Sequence, residues 1–221
     1  QFAAGSGGIW NAGLSLGSAN QVVRVNSGGN ALEFGSVDAG SHTKIAQFTS
    51  SGTPTEFVLD NIFTSTYDFY MIYVTNYLNV TNNLQWYMKL RTGGSSGSTD
   101  TGSNYRGMVY YTRRDSGSET SAADGFWDNN HYRITNFDLS ADTNSGSFVK
   151  LYIANPYNND RKTSFYHEGF INNGDANSVA YTNGSCFFNA NTSHTGICFT
   201  AQDSSNKVAN GNKAFVYGIK Y

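Results

Sequence analysis

The 221-residue chain carries a net charge of −2, and only 14% of its residues are charged while 15% are aromatic. So many rings exclude intrinsic disorder, which goes with few aromatics and high charge. The lack of a basic surplus excludes a nucleic-acid partner, since the densest basic cluster, Arg113-Arg114, is followed at once by Asp115.

Polarity comes instead from amides and hydroxyls, with 24 Gly and 2 Pro. Aromatics favour pleated, half-buried surfaces, and Gly and Asn supply the positive φ angles of turns. The composition therefore points to strands joined by polar turns.

Residues 1–41 are rich in Gly, Ser and Ala, with short apolar pieces at Ile9-Trp10, Leu14-Ser-Leu16, Val22–Val25 and Ala31–Phe34. The N-terminus has neither the basic nor the apolar region of a secretory leader. Gln1, in place of an initiator Met, reads as a processed end or the first visible residue of a longer product. The segment Val23 to Phe34 reads as a hairpin turning at Ser27-Gly28-Gly29-Asn30. Such a hairpin is too small to be stable alone and must pack on something.

From about Thr43 onward, short runs alternate apolar and polar residues. Lys44–Phe48, Glu56–Leu59, Phe69–Val74, Leu84–Leu90 and Tyr105–Thr112 read as strands. A low-complexity loop is expected over Thr92–Ser103 and a polar stretch over Asp115–Asp124. His131–Thr135, Phe148–Ala154, Thr163–Ile171, Cys186–Phe188, Ile197–Thr200 and Ala214–Ile219 continue the series. Nothing keeps a helical period for long, and no run of about 18 apolar residues suggests a membrane span. The fold expected is all-β: an antiparallel jelly-roll-like β-sandwich over residues 42–221, preceded by the Gly/Ser-rich hairpin segment of residues 1–41.

The two cysteines, Cys186 and Cys198, flank the turn Asn191-Thr-Ser-His194. They read first as buried thiols, with a disulfide across a hairpin as the alternative. No Cys/His spacing suggests zinc. Sequons at Asn79, Asn183 and Asn191 are chance matches in so polar a chain.

Catalytic chemistry is sparse. Most acidic residues fall in turns, where Asp bonds its own backbone. A glycosidase would need two carboxylates about 5–10 Å apart, and only Glu168 with Glu119 or Asp124 can be nominated. His131 and His167, each beside a Tyr, read as hydrogen-bonded strand residues and not as metal ligands. Asn155-Pro-Tyr-Asn-Asn-Asp160 has oxygens for calcium but not a familiar spacing. No cofactor is expected. Trp127 and Tyr157 lie in polar, Asn-rich surroundings, which either anchors the loops or offers a sugar rings for its apolar face and amides for its hydroxyls.

Two motifs carry a resemblance. Gly17-Ser-Ala-Asn-Gln-Val-Val-Arg-Val-Asn-Ser-Gly-Gly-Asn-Ala-Leu-Glu-Phe-Gly35 is similar to the segment GxxGQVLxVNSxGTALEWG of bacteriophage tail-fibre and appendage proteins; Asn20, Asn30 and Phe34 depart from it. The ending Ser204 to Lys220, with Ser204, Ser205, Gly211 and Tyr217-Gly-Ile-Lys220, resembles the SSGNIxSGTxxLYGIK close of a β-sandwich domain in phage virion proteins. Phe48–Pro54, Tyr67–Tyr73, Leu84–Arg91 and Ser103–Gly107 continue the likeness. It implies a non-enzymatic structural protein on the exterior of the particle. It further implies a homotrimer that joins other virion proteins through its N-terminal segment and contacts a host-surface glycan through its sandwich. A capsid decoration protein and a glycan-degrading enzyme are the competing expectations.

Overall fold

The structure, a computed structural model, describes residues 18, 21–36, 42–76, 78–81, 84–135, 139, 141, 146–173, 178–202 and 208–220. Ile9-Trp10, Leu14–Leu16 and the motif residues Ser204 and Ser205 lie outside them. The chain divides into two units, Gln1–Gly40 and Ser41–Tyr221.

In the first unit, β1 (Gln21–Val25) and β2 (Leu32–Ser36) form an antiparallel hairpin. Asn26 closes its turn: the Oδ1 atom accepts the N–H groups of Asn30 at 3.1 Å and Ala31 at 3.3 Å, and Gly29 takes the positive φ of 69°. Arg24 bonds Glu33 directly opposite, at 3.0 Å, and lies over Gly35, where a Cβ would come within 2.2 Å of its Nε. The motif residues Asn26, Gly29, Glu33 and Gly35 are thus parts of one turn and one cross-strand clasp. Val22, Val23, Val25 and Leu32 are all exposed, as expected of a hairpin too small to bury its own apolar residues.

The second unit is an antiparallel sandwich. Its strands are β3 (His42–Thr49), β4 (Glu56–Leu59), β5 (Phe69–Thr75), β6 (Trp86–Thr92), β7 (Ser98–Thr99), β8 (Tyr105–Arg114), β9 (Glu119–Asn129), β10 (Tyr132–Arg133), β11 (Phe148–Ala154), β12 (Ser164–Asn173), β13 (Ser178–Phe188), β14 (Gly196–Ala201) and β15 (Lys213–Ile219). One sheet has five strands in the order β10-β6-β14-β4, with β7 on β6. The other has eight, in the order β3-β15-β5-β11-β12-β13-β8-β9. The chain crosses repeatedly between sheets, as a jelly-roll winding does.

Alternation decides which residues go inside. Val149, Leu151 and Ile153 of β11 are buried while the residues between them are not. The central strand β14 is buried throughout. The inner layer is ring-rich, including Phe63, Tyr70, Trp86, Tyr105, Tyr132, Phe188 and Phe199. A buried phenol or indole needs a partner, and each finds one. Tyr70 Oη accepts from Thr64 N–H at 2.8 Å and donates to its carbonyl at 2.9 Å. Tyr105 Oη accepts from Leu90 N–H at 2.7 Å, and Trp86 Nε1 donates to Asn79. An aromatic core with amide and hydroxyl partners is how so uncharged a chain stays satisfied inside.

The closing Tyr217-Gly-Ile-Lys220 motif has a packing role. Tyr217 meets Tyr73 edge to face at 6.2 Å on the outer side of β15. Gly218 lets the Tyr67 ring lie flat on the strand, where a Cβ would sit 2.5 Å from that ring, and Lys220 Nζ stands 5.8 Å from its centroid.

Several expectations need correction. β13 and β14 belong to different sheets, so the segment between them is a crossover and not a hairpin turn. Cys186 is flanked in register by Phe165 and Gly107, and Cys198 by Val58 and Lys89; both thiols are free and buried. The polar stretch ending at Asp124 is largely strand, because β9 is an edge with a neighbour on one side only, where small polar residues are tolerated. The Thr92–Ser103 loop holds a 3-10 turn at Gly94–Ser96 and the short β7. Arg91 pins it, donating to Gly97 O at 2.7 Å and Thr99 Oγ1 at 2.8 Å while bonding Asp60 at 2.7 Å. His131 precedes a strand of only two residues.

Candidate functional site

β5 and β11 are neighbours in register, Phe69 opposite Ala154. The chain entering β5 and the chain leaving β11 therefore emerge side by side. Asn155 N–H donates to Asp68 O at 2.7 Å, and Asn155 takes a φ of 55° that turns the chain outward. Between the two segments lies an open recess of about 250 Å³ walled by Thr64, Ser65, Tyr67, Asp68, Asn155, Tyr157, Asn158 and Asn159.

Both rims are braced. Thr64 is held through its backbone by the Tyr70 hydroxyl. Tyr157 O accepts Ser193 Oγ at 2.8 Å, Pro156 O accepts His194 N–H at 2.8 Å, and Asn158 Oδ1 accepts Asp160 N–H at 2.7 Å. Those bonds also show where three oxygens of the Asn155–Asp160 turn point: Asn158 Oδ1 closes the turn itself, and the Pro156 and Tyr157 carbonyls tie it to His194 and Ser193. Tyr157 is 40% exposed. The walls offer two phenols, three carboxamides and two hydroxyls beside one carboxylate. That set can bond the hydroxyls of a neutral polar ligand and lay a ring against an apolar face; it does not pair a nucleophile with a base.

Trp127 is not in this recess. It lies where the β8–β9 register shifts, between Phe126 opposite Gly107 and Asn129 opposite Tyr105. The residue is 69% exposed, with the Arg106 guanidinium 4.4 Å from its ring centroid. Arg106 in turn bonds Asp128 at 2.7 Å. The two aromatic residues singled out by sequence are thus separate features.

Comparison with protein-family models, curated proteins and solved structures finds no match to the chain. Its chemistry is read from its own residues.

The nominated carboxylates do not converge. Glu168 lies on the outer face of β12, bonded to Lys150 at 3.3 Å. Asp124 is in register with buried Val109, on the inner side of β9, and pairs with Arg133 of the opposite sheet. Glu119 shares the outer face with Glu168 but is three strands across and four residues along, about 20 Å away by strand geometry.

His167 is fully buried. Tyr132 Oη lies 2.5 Å from its Nδ1, and Thr182 Oγ1 lies 3.3 Å from Nε2 while donating to Ile134 O. The consistent tautomer carries its proton on Nε2, with Nδ1 accepting from the phenol. Burial pushes its pKa down to about 3, so the ring is neutral and structural. His194, also fully buried, bonds Asp100 at 3.2 Å; burial lowers its pKa and the Asp100 bond opposes the shift. Among the described residues no group of three or more His, Cys, Asp or Glu is placed to hold a metal ion. No helix among them is long and apolar enough to cross a membrane.

A second recess of about 350 Å³ opens on the smaller sheet, walled by Glu56, Tyr87, Lys89, Asn130, His131 and Gln202 among others. His131 stacks on Tyr87 at 3.7 Å, and burial with nearby Lys89 brings its pKa down to about 4. Tyr87, like Tyr67 and Asp68 of the first recess, was missed in the sequence. Tyr87 belongs to a run read only as strand, Tyr67 and Asp68 immediately precede another, and the adjacency of β5 with β11 or of β6 with β10 has no local signal.

Proposed function

We propose that this chain is a non-catalytic contact protein on the exterior of a bacteriophage particle, of the tail-fibre or appendage kind, and that its sandwich binds a neutral host-surface glycan. The observation that carries the glycan reading is the recess between the β4–β5 and β11–β12 connections. It joins Tyr67 and Tyr157 to Asn155, Asn158, Asn159, Thr64 and Ser65. A sugar presents apolar ring faces and a rim of hydroxyls, and these walls match both. The phage assignment rests on the two sequence motifs, as does the homotrimer it implies. The exposed valines of the β1–β2 hairpin fit an assembly that covers them.

The test is a bacterial surface-glycan array probed with the whole chain and with Tyr157→Ala. The reading expects binding to neutral glycans that weakens at least tenfold in the variant, with thermal stability unchanged. Binding that survives the substitution would move the site elsewhere. Release of oligosaccharides during incubation would make the chain an enzyme and defeat the proposal.

A further inference from the structure

The outer face of the eight-stranded sheet is aromatic and open. Met108, Tyr110, Phe148, Tyr166, Phe170 and Tyr181 are each 37–55% exposed. Together they present on the order of 500 Å² of mostly apolar surface, taking about 200 Å² for a ring-bearing side chain. That lies at the upper end for a lone monomer patch.

The way the rings stand narrows the occupant. The Phe148 and Phe170 rings stack with centroids 6.2 Å apart at 26°, and Tyr152 lies tilted by 32° against Tyr166 at 5.9 Å. The paired rings stand in rows across β11 and β12. Such rows form ridges, and ridges interdigitate with the side chains of another sheet.

Charge fixes the register. Lys150 on β11 and Glu168 on β12 are opposite one another, 3.3 Å apart. They sit at the middle of the sheet, with β3, β15 and β5 beyond one and β13, β8 and β9 beyond the other. We propose that this face binds a second copy of the chain about a twofold axis in the interface plane, running along the strands between β11 and β12.

That rotation lays Lys150 against Glu168 of the other copy and Glu168 against its Lys150, closing a square of alternating charges. The same operation sets Phe148 against Phe170 and Tyr152 against Tyr166. It brings β8 over β15, so that Tyr110 faces Phe215 and Met108 faces Tyr217, in the rows their registers define. A twofold contact must be self-complementary in this way. Eight strands about 4.8 Å apart and four outward rows give a footprint on the order of 800 Å² per copy, the size of a standard stable interface.

The pairing goes beyond the glycan reading and is separate from any assembly made by residues 1–40. The test uses the full chain and reads mass in solution for the wild type, Lys150→Glu, Glu168→Lys and an equimolar mixture of the two. Each single swap sets like charges across the axis, and the expected result is half the wild-type number of chains per particle. In the mixture every cross-axis pair is again opposite in sign, so the wild-type mass returns. The double swap K150E/E168K restores complementarity within one chain and is expected to keep the wild-type mass, which separates lost pairing from misfolding. A wild-type mass equal to that of both single variants, or a mixture that stays at the halved mass, would overturn the proposal. An oligomer built on residues 1–40 alone gives the first of these outcomes and leaves the trimer reading standing.

Discussion

Acid protonates the unfolded chain before it protonates His167. In the native state this ring is fully enclosed, with a pKa of about 3 against the ordinary value of about 6.5. A depressed histidine pKa means that the unfolded state binds the extra proton as pH falls. The stability it contributes is therefore whole above about pH 6.5 and is lost at about 1.4 kcal/mol per pH unit down to about pH 3. Between about pH 7.5 and 4.5 the loss from this one group is roughly 2.7 kcal/mol. His167→Gln removes the titration and keeps the bonding pattern, with a carboxamide oxygen toward Tyr132 Oη and its nitrogen toward Thr182. Urea unfolding at both pH values, followed by fluorescence of the buried Trp86, gives the double difference. His131 and His194 titrate in both proteins and cancel. The expectation is that H167Q loses roughly 2–3 kcal/mol less than the wild type on acidification. Equal losses would mean that the enclosed ring is already charged, or already exposed, in the native state.

Arg91 is only 8% exposed and ties Asp60 to the Gly97–Thr99 turn. Arg91→Met is expected to cost about 3 kcal/mol in chemical unfolding, because Asp60 is left partly buried without its cation, and to open the Thr92–Ser103 segment to protease. The two thiols make a chemical prediction. Burial pushes the Cys186 pKa up to about 12 and that of Cys198 up to about 11, so the native chain at neutral pH is expected to resist a thiol reagent, with both thiols titrating after denaturation without reductant. A fast native thiol, or fewer than two in denaturant, contradicts that.

Local pattern made most strands legible. Phe148–Ala154 alternates cleanly and forms β11 over those same residues, and Phe69–Val74 lacks one residue of β5. β9 was hidden because Glu-Thr-Ser-Ala-Ala-Asp has no apolar face to bury, and its place at an edge asks for none. The Cys186–Cys198 hairpin failed for a different reason. A short polar segment between two strands looks alike whether it reverses within a sheet or crosses to the other one. Of the candidate site, Tyr157 was visible because an aromatic among asparagines is unusual. Tyr67 and Asp68 became neighbours of Tyr157 only through the pairing of β5 with β11, whose partners lie 73 to 85 residues apart in the chain (Thr75 with Phe148, Phe69 with Ala154). Trp127 drew notice on the same grounds as Tyr157, yet its partner is Arg106. Composition around a ring does not say which side chain covers it.

The make-up of the Tyr67–Tyr157 recess also bears on how binding there should respond to salt. Its walls contain one carboxylate, Asp68, and no Lys, Arg or His. Contacts made by amides, hydroxyls and ring faces gain nothing from long-range attraction, and screening over about 10 Å at 0.1 M salt leaves them unchanged. A neutral glycan should therefore bind with nearly the same affinity from low salt to about 0.5 M salt. An anionic glycan would be repelled by Asp68 and should improve with added salt. A ligand whose affinity falls steeply as salt rises would have to be cationic, or be held by the Arg106 and Lys150 side chains on the sheet. Titration calorimetry across that range, with Tyr157→Ala as the control, separates the three cases, and a steep fall that Tyr157→Ala leaves unchanged is the result that would remove the recess as the glycan site.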